Sequence, residues 1–179
     1  LMDNWRAAFG ASGFHIGQLL LTKEDFQDDH RTLNMRNTIF TLVDEDVVPI
    51  INENDSVSYE EIKIGDNDNL SALTAILWSA DLLVLVSDID GVYDKNPKEY
   101  ADAKLIETVA DLDALRGSIS IGATNGFGTG GITTKLEAAA KVTAYGIPML
   151  LANGSRPRFI EALANGSQKG TVFLAQEDL

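Results

Sequence analysis

Cysteine is absent from the 179-residue chain, which excludes disulfides and thiolate metal sites and agrees with a reducing cytoplasm. Positive charge is scarce: 14 Lys and Arg stand against 27 Asp and Glu, a formal charge of -13 at pH 7. Nucleic acids and anionic membranes are bound through a stripe of Lys and Arg. No such stripe occurs, so neither is expected as a partner, and any anionic ligand must be held locally by a few lysines and backbone amides. No apolar run approaches the roughly 18 residues of a membrane span, and no basic, apolar leader with a small-residue cleavage site is visible. Both histidines, His15 and His30, lack an evident partner and read as structural or exposed positions. Trp5 and Trp78 read as packing residues on helices. What remains is an ordinary globular composition, 45% hydrophobic and 23% charged, in a chain long enough to bury one full core.

The pattern along the chain alternates between strands and helices. Residues 14–21 (FHIGQLLL) predict a strand, and Thr22-Lys-Glu-Asp25 has the form of a capping box opening a helix through residue 43. The acidic run Gln27-Asp-Asp-His30 then reads as a solvated face of that helix. A β-branched run follows at residues 47–51, then the polar Asn52-Glu-Asn-Asp55, and a weakly alternating excursion over residues 56–64 that suggests a hairpin. Residues 70–79 predict a helix, and Leu82-Leu-Val-Leu-Val86 a buried strand. Asp90-Gly91 and Asn96-Pro97 punctuate a loop. A helix near residues 109–115, a glycine-rich stretch over 122–131, a helix over 133–145 stopped by Gly146, a strand over 147–152, a helix over 157–164 and a strand over 171–175 complete the series. Strands alternating with helices predict an α/β fold, an open αβα sandwich around a mainly parallel central sheet. No repeat or linker divides the chain, so residues 1–179 are expected to be a single domain. The opening "LMDNWRAAFGASG" predicts an amphipathic helix that starts without a cap or an initiating methionine, and further residues are expected to precede it.

Ligands of open parallel sheets bind beyond the carboxyl ends of the strands. Polar clusters stand at three such ends: residues 52–55, Ser87-Asp88, and Ala152-Asn-Gly-Ser155. The glycine-rich "NGFGTGGITTKLEAAAKV" adds a phosphate-binding candidate. Gly126, Gly128 and Gly131 satisfy G-x-G-x-x-G, but no strong strand precedes them and no acidic residue lies about 20 positions on, so a dinucleotide fingerprint is not supported. A Walker A loop is excluded because no Gly-Lys-Ser/Thr unit occurs. What remains is general: glycines admit a phosphate close to the backbone, amides at a helix start point at it, and Lys135, placed in the first turn of the following helix, leans back toward the same point. A surface loop with an exposed lysine is the alternative. Gly65-Asp-Asn-Asp-Asn69 also stands at a helix start. A calcium loop is excluded there, since Asp66-x-Asp68 lacks the third ligand, the central glycine and the closing glutamate; capping by Asp68 or Asn69 is expected.

The segments "VVPIINENDSVSYEEIKIGDNDNLSALTAIL", "ADLLVLVSDIDGVYDKNP" and "GFGTGGITTKLEAAAKVTAYGIPMLLANG" together resemble the glutamate 5-kinases, a group within the amino acid kinase family. The likeness runs over nearly the whole chain in the same order, and the pairing of INEND with IKIGDND is its most specific part. It implies the amino acid kinase fold and phosphorylation of the γ-carboxylate of L-glutamate by ATP, giving L-glutamyl 5-phosphate, the first step toward proline, with Mg²⁺ carried on the nucleotide phosphates. An acetylglutamate or aspartate kinase, or a non-catalytic glutamate- or proline-sensing module, are the competing readings. A γ-carboxylate with a pKa near about 4.3 is already ionised at neutral pH, so no general base is required, and no His- or Cys-centred catalytic group is evident.

By the same resemblance Lys135 stabilises the transferring phosphate, and Thr129, Gly130, Gly131, Ile132, Thr133, Thr134 and Lys135 match the nucleotide-binding loop. Ser87 and Asp88 match a pair that also lines the ATP site. Asp55 and Asn67 match glutamate-binding residues, and Asp68 matches an aspartate that orients the catalytic lysines. Lys63 and Asp66 flank this group without an assigned role. Similar proteins begin with a strand and a Lys-x-Gly-Ser loop, neither of which lies in these residues, and some bacterial members carry a C-terminal RNA-binding-like domain that is also not among them. Proline as a feedback inhibitor and homo-oligomeric association are further implications of the resemblance.

Overall fold

A computed structural model describes residues 1–57, 66–122 and 129–176. Helix α1 (Met2–Gly10) starts without a side-chain cap and buries none of its residues. Trp5 stacks on Phe9 with ring centroids 6.0 Å apart, the two sharing a helical face by their spacing. Strand β1 (His15–Leu21) runs parallel to β2 (Val47–Glu53), in register from His15 against Val47 to Leu21 against Glu53.

Two helices connect these strands where one was predicted: α2 (Lys23–Gln27) and α3 (Asp29–Asp44). The capping box forms, with the Asp25 carboxylate accepting from Thr22 N at 2.6 Å and Thr22 Oγ1 at 2.9 Å. The helix it opens stops at Asp28, which is extended (φ -96°, ψ 120°) and caps α3 by accepting from Arg31 N at 2.8 Å. A short carboxylate bonds a nearby backbone amide in a non-helical geometry as readily as a helix bonds itself. The acidic run is exposed as expected, but it is a junction between helices and not one continuous helix face. On α3, Met35 and Ile39 are buried, spaced to lie on one side of the helix.

The remaining elements are α4 (Asn67–Trp78), β3 (Leu83–Ser87), β4 (Thr108–Val109), α5 (Leu112–Gly122), α6 (Thr129–Thr143), β5 (Met149–Asn153), α7 (Phe159–Ala164) and β6 (Thr171–Phe173). The sheet order is β3-β5-β6-β4. The β3/β5 and β4/β6 pairs are parallel, and β5/β6 is antiparallel. The mainly parallel α/β architecture is thus as expected, with the strands falling in a two-stranded and a four-stranded sheet. The chain divides into two compact units, Leu1–Leu70 and Ser71–Leu179. In the second, Leu85, Met149, Leu151 and Phe173 meet Leu136, Ala138, Ala139 and Val142 of α6 in one buried cluster. Each large side chain buried there contributes roughly 1.5–3 kcal/mol, and the alanines let α6 approach closely. Gly146 (φ +75°) ends this helical segment in the left-handed conformation, with Gly146 N donating to Thr143 O and Ile147 N to Val142 O, both at 3.0 Å; this is a Schellman closure.

Several features differ from the sequence reading. Strand β3, expected to be buried on both faces, is an edge strand: Val84 and Val86 are 41% and 50% exposed, against 6% for Leu85. Val109, expected to begin a helix, joins Thr108 in β4, and Asp111 then accepts from Ala114 N at 2.9 Å to open α5. Helix α6 begins at Thr129, ahead of the predicted residue 133. The predicted hairpin over 56–64 lies mostly outside the described residues. Among the described residues no helix is long and apolar enough to cross a membrane.

Candidate functional site

A cavity of about 480 Å³ opens beyond the carboxyl end of β3. Ser87, Asp88, Asp90, Gly91 and Tyr93 line it from the exit of that strand, Asn96, Pro97 and Lys98 from the next turn, and Gly131, Ile132 and Lys135 from α6. Ser87 is the last residue of β3; its carbonyl accepts from Gly154 N at 2.9 Å, and its hydroxyl lies 3.2 Å from Asp88 Oδ1. Gly91 (φ +150°) is required twice over, because its backbone conformation disfavours an L side chain and a Cβ there would stand 2.5 Å from Thr171 Oγ1. Thr171, fully buried, accepts from Val92 N at 2.8 Å and donates to Ile106 O at 2.7 Å, anchoring the loop. Asn96, also buried, receives Lys98 N on Oδ1 at 3.0 Å, and its carbonyl receives Tyr100 N at 2.9 Å. That turn is thereby held from both ends.

Asp90 accepts from Tyr93 Oη at 3.3 Å and from Asn153 Nδ2 at 3.0 Å. Burial pushes the Tyr93 phenol above its ordinary value, and the charge and hydrogen bond of Asp90 push it further, while Arg156 opposes. Tyr93 therefore stays a neutral donor at physiological pH. The cavity walls carry Asp88 and Asp90 against Lys98 and Lys135, a local balance within a chain of net charge -13. Lys98, Lys135 and the α6 residues Gly131 and Ile132 thus face one space.

Lys135 sits in the second turn of α6, later than the first turn expected, because Thr129, Gly130 and Gly131 are themselves helical. The consequence for its reach is small. Gly131 precedes it by one helical turn on the same face, and Lys135, half-buried, lines the cavity with Gly131 and Ile132. Thr133 and Thr134 lie on α6 outside the lining, with Thr134 Oγ1 donating to Gly131 O at 3.2 Å; Thr129 and Gly130 open the helix.

Asp55 and Asn67, expected to bind glutamate, and Asp68, expected to orient the lysines, belong to the first unit. Asp55 is exposed in the turn after β2, Asn67 is exposed and Asp68 half-buried in the first turn of α4, and none of the three lines this cavity. The cap of α4 is Asp66: its Oδ1 accepts from Asn69 N at 2.7 Å and its carbonyl from Leu70 N at 3.2 Å, so capping by Asp68 or Asn69 is corrected. Lys63 lies outside the described residues. The sequence reading missed Tyr93 and Lys98 and treated Asp90, Asn96 and Pro97 as loop punctuation; their signal was position, directly downstream of the Ser87-Asp88 strand end. Among the described residues no group of three or more His, Cys, Asp and Glu side chains could hold a metal ion by itself.

The amino acid kinase family model matches residues 1–153. The chain belongs to the amino acid kinase family. Among similar amino acid kinases, the glutamate 5-kinase of Alkaliphilus metalliredigens (strain QYMF) is 59% identical over 98% of this chain and 66% of its own length. That of Alkaliphilus oremlandii (strain OhILAs) is 57% identical over 98% of this chain and 67% of its own. The chain thus spans about two thirds of the length of these curated relatives. Among solved structures, UMP kinase from Bacillus anthracis matches with a TM-score of 0.58 at 14% identity, over 93% of this chain and 60% of that one. An isopentenyl phosphate kinase matches at 0.57 and 20% identity, over 93% and 62%. At such identities the likeness is one of fold.

Proposed function

We propose that this chain phosphorylates the γ-carboxylate of L-glutamate with ATP, yielding L-glutamyl 5-phosphate and ADP, and that its two units act as one amino acid kinase domain. The observation that carries the reading is the cavity itself: Ser87, Asp88, Gly131, Ile132 and Lys135, singled out from sequence as nucleotide-binding positions, line one space. The extensive identity to two glutamate 5-kinases supports the choice of acceptor.

The chemistry asks little beyond alignment and charge neutralisation. The attacking carboxylate is ionised at neutral pH, so no proton has to be removed, and catalysis rests on holding two anions in line while charge spreads over the transferring group. Lys135 is assigned to that group and the α6 start to the adjacent phosphates. Asp55 and Asn67 are assigned to glutamate, and Asp68 to orienting the catalytic lysines. The donor set fits a nucleotide-borne Mg²⁺: Asp88 lines the cavity and would hold a water of its shell, as suits a hard cation that keeps several waters. Bound there, Mg²⁺ would neutralise phosphate charge. We further read the enzyme as cytoplasmic, subject to proline inhibition and homo-oligomeric.

Incubation with MgATP, hydroxylamine and one acid at a time tests this, because an acyl phosphate is trapped as a hydroxamate. Product from glutamate is expected. Product from aspartate or acetylglutamate alone would transfer the protein to another branch of the family, and nucleotide binding without product from any acid would favour a sensing module.

A further inference from the structure

We propose that Asn153 is a positioning residue for the nucleotide site, acting through Asp90. The proposal rests on the reading of the cavity as a nucleotide site and adds to it a residue that does not itself line the space. Asn153 ends β5, and its carboxamide is used at both atoms. Nδ2 donates to Asp90 Oδ1 at 3.0 Å and to Asp88 O at 3.3 Å; Oδ1 accepts from Ser155 N at 2.8 Å. Its main-chain carbonyl accepts from Nε2 of the buried Gln168 at 2.6 Å, which fixes the backbone from which the side chain reaches. Asp90 Oδ2 in turn takes the phenol of Tyr93 at 3.3 Å.

One side chain on the neighbouring strand thereby sets three cavity residues: the backbone at Asp88, the carboxylate of Asp90 and, through it, the ring of Tyr93. The position demands a group that donates on one side and accepts on the other, which among side chains of this size only a carboxamide does. An aspartate there would turn a donor into a second carboxylate facing Asp90, and an alanine would leave Asp90 and Asp88 untethered. Asp90 and Asn153 are only half-buried and stand outside the hydrophobic cluster, so their pairing bears on the shape of the site more than on the stability of the fold.

The test is calorimetric titration of MgADP into the full chain, its Asn153→Asp variant and the Asn153→Asp/Asp90→Asn double variant, in which donor and acceptor are exchanged. The single variant is expected to bind MgADP about tenfold or more weakly, and the exchange to recover part of that loss, since the charged hydrogen bond to residue 90 is broken and then remade with opposite polarity while the donation to Asp88 O is not. Unfolding midpoints are expected not to follow this order. In steady state the single variant should raise the KM for MgATP and leave kcat and the KM for glutamate within about threefold. If Asn153→Asp does not fold, Asn153→Ala is held to the same loss of MgADP affinity. Undiminished affinity in the single variant, or a loss that the double variant does not recover, overturns the proposal while leaving the nucleotide reading intact. A parent chain that takes up no MgADP overturns both.

Discussion

Lys135 is the residue whose removal most directly probes the proposed chemistry. Its ammonium is assigned to charge that grows as the phosphoryl group moves, so its contribution is larger in the transition state than with bound substrates. Lys135→Ala is expected to lower kcat by about 10²–10³ while the KM values for MgATP and glutamate change only a few-fold, as read by the hydroxamate assay; an unchanged kcat removes the lysine from the mechanism. At this scale the site was partly legible. Ser87 and Asp88 announce themselves by following an apolar run, and Lys135 by following glycines at the head of an alanine-rich helix. Asp90 and Tyr93 did not, because an aspartate before a glycine is also ordinary turn chemistry. Asn153 was read within the polar strand end 152–155, but its bond to Asp90 was not legible, since it joins residues 63 positions apart.

Elements were legible wherever their cause is local. The capping box at Thr22 was read and forms; the stop at Asp28 was not, because the same residue type serves a helix face or a new cap depending on one ψ angle. Helix α4 shows the same ambiguity among four consecutive polar residues, resolved in favour of Asp66. Asp66→Ala is accordingly expected to cost about 1 kcal/mol, with Asp66→Asn losing much less because Asn caps nearly as well. The shift in urea midpoint measures it, and equal effects of the two substitutions would rule out capping as the role of Asp66. Strand β3 carries a further lesson. An apolar run of five reads as buried on both faces, yet Val84 and Val86 share the face opposite Leu85 and stay partly exposed, and which face is covered is a property of the packing.

For the molecule as a whole, ligand linkage gives the broadest check. Whatever binds the folded chain alone stabilises it by mass action: MgADP at a hundred times its Kd contributes about 2.7 kcal/mol. For a chain of this size that is a rise in melting temperature of roughly 5–10 °C, measurable by scanning calorimetry, and an unshifted transition under saturating MgADP would count against a nucleotide site. The sequence by itself determined the alternation of strands with helices, the exclusion of thiol chemistry, the scarcity of cationic surface, and the polar strand ends with their lysine, because periodicity, composition and turn chemistry are carried by near neighbours. Only the tertiary structure decided the strand order β3-β5-β6-β4, the antiparallel β5/β6 pairing, which valines of β3 stay wet, and the bond from Asn153 to Asp90. Those features depend on residues far apart in the chain being brought to hydrogen-bonding distance, which no local pattern encodes.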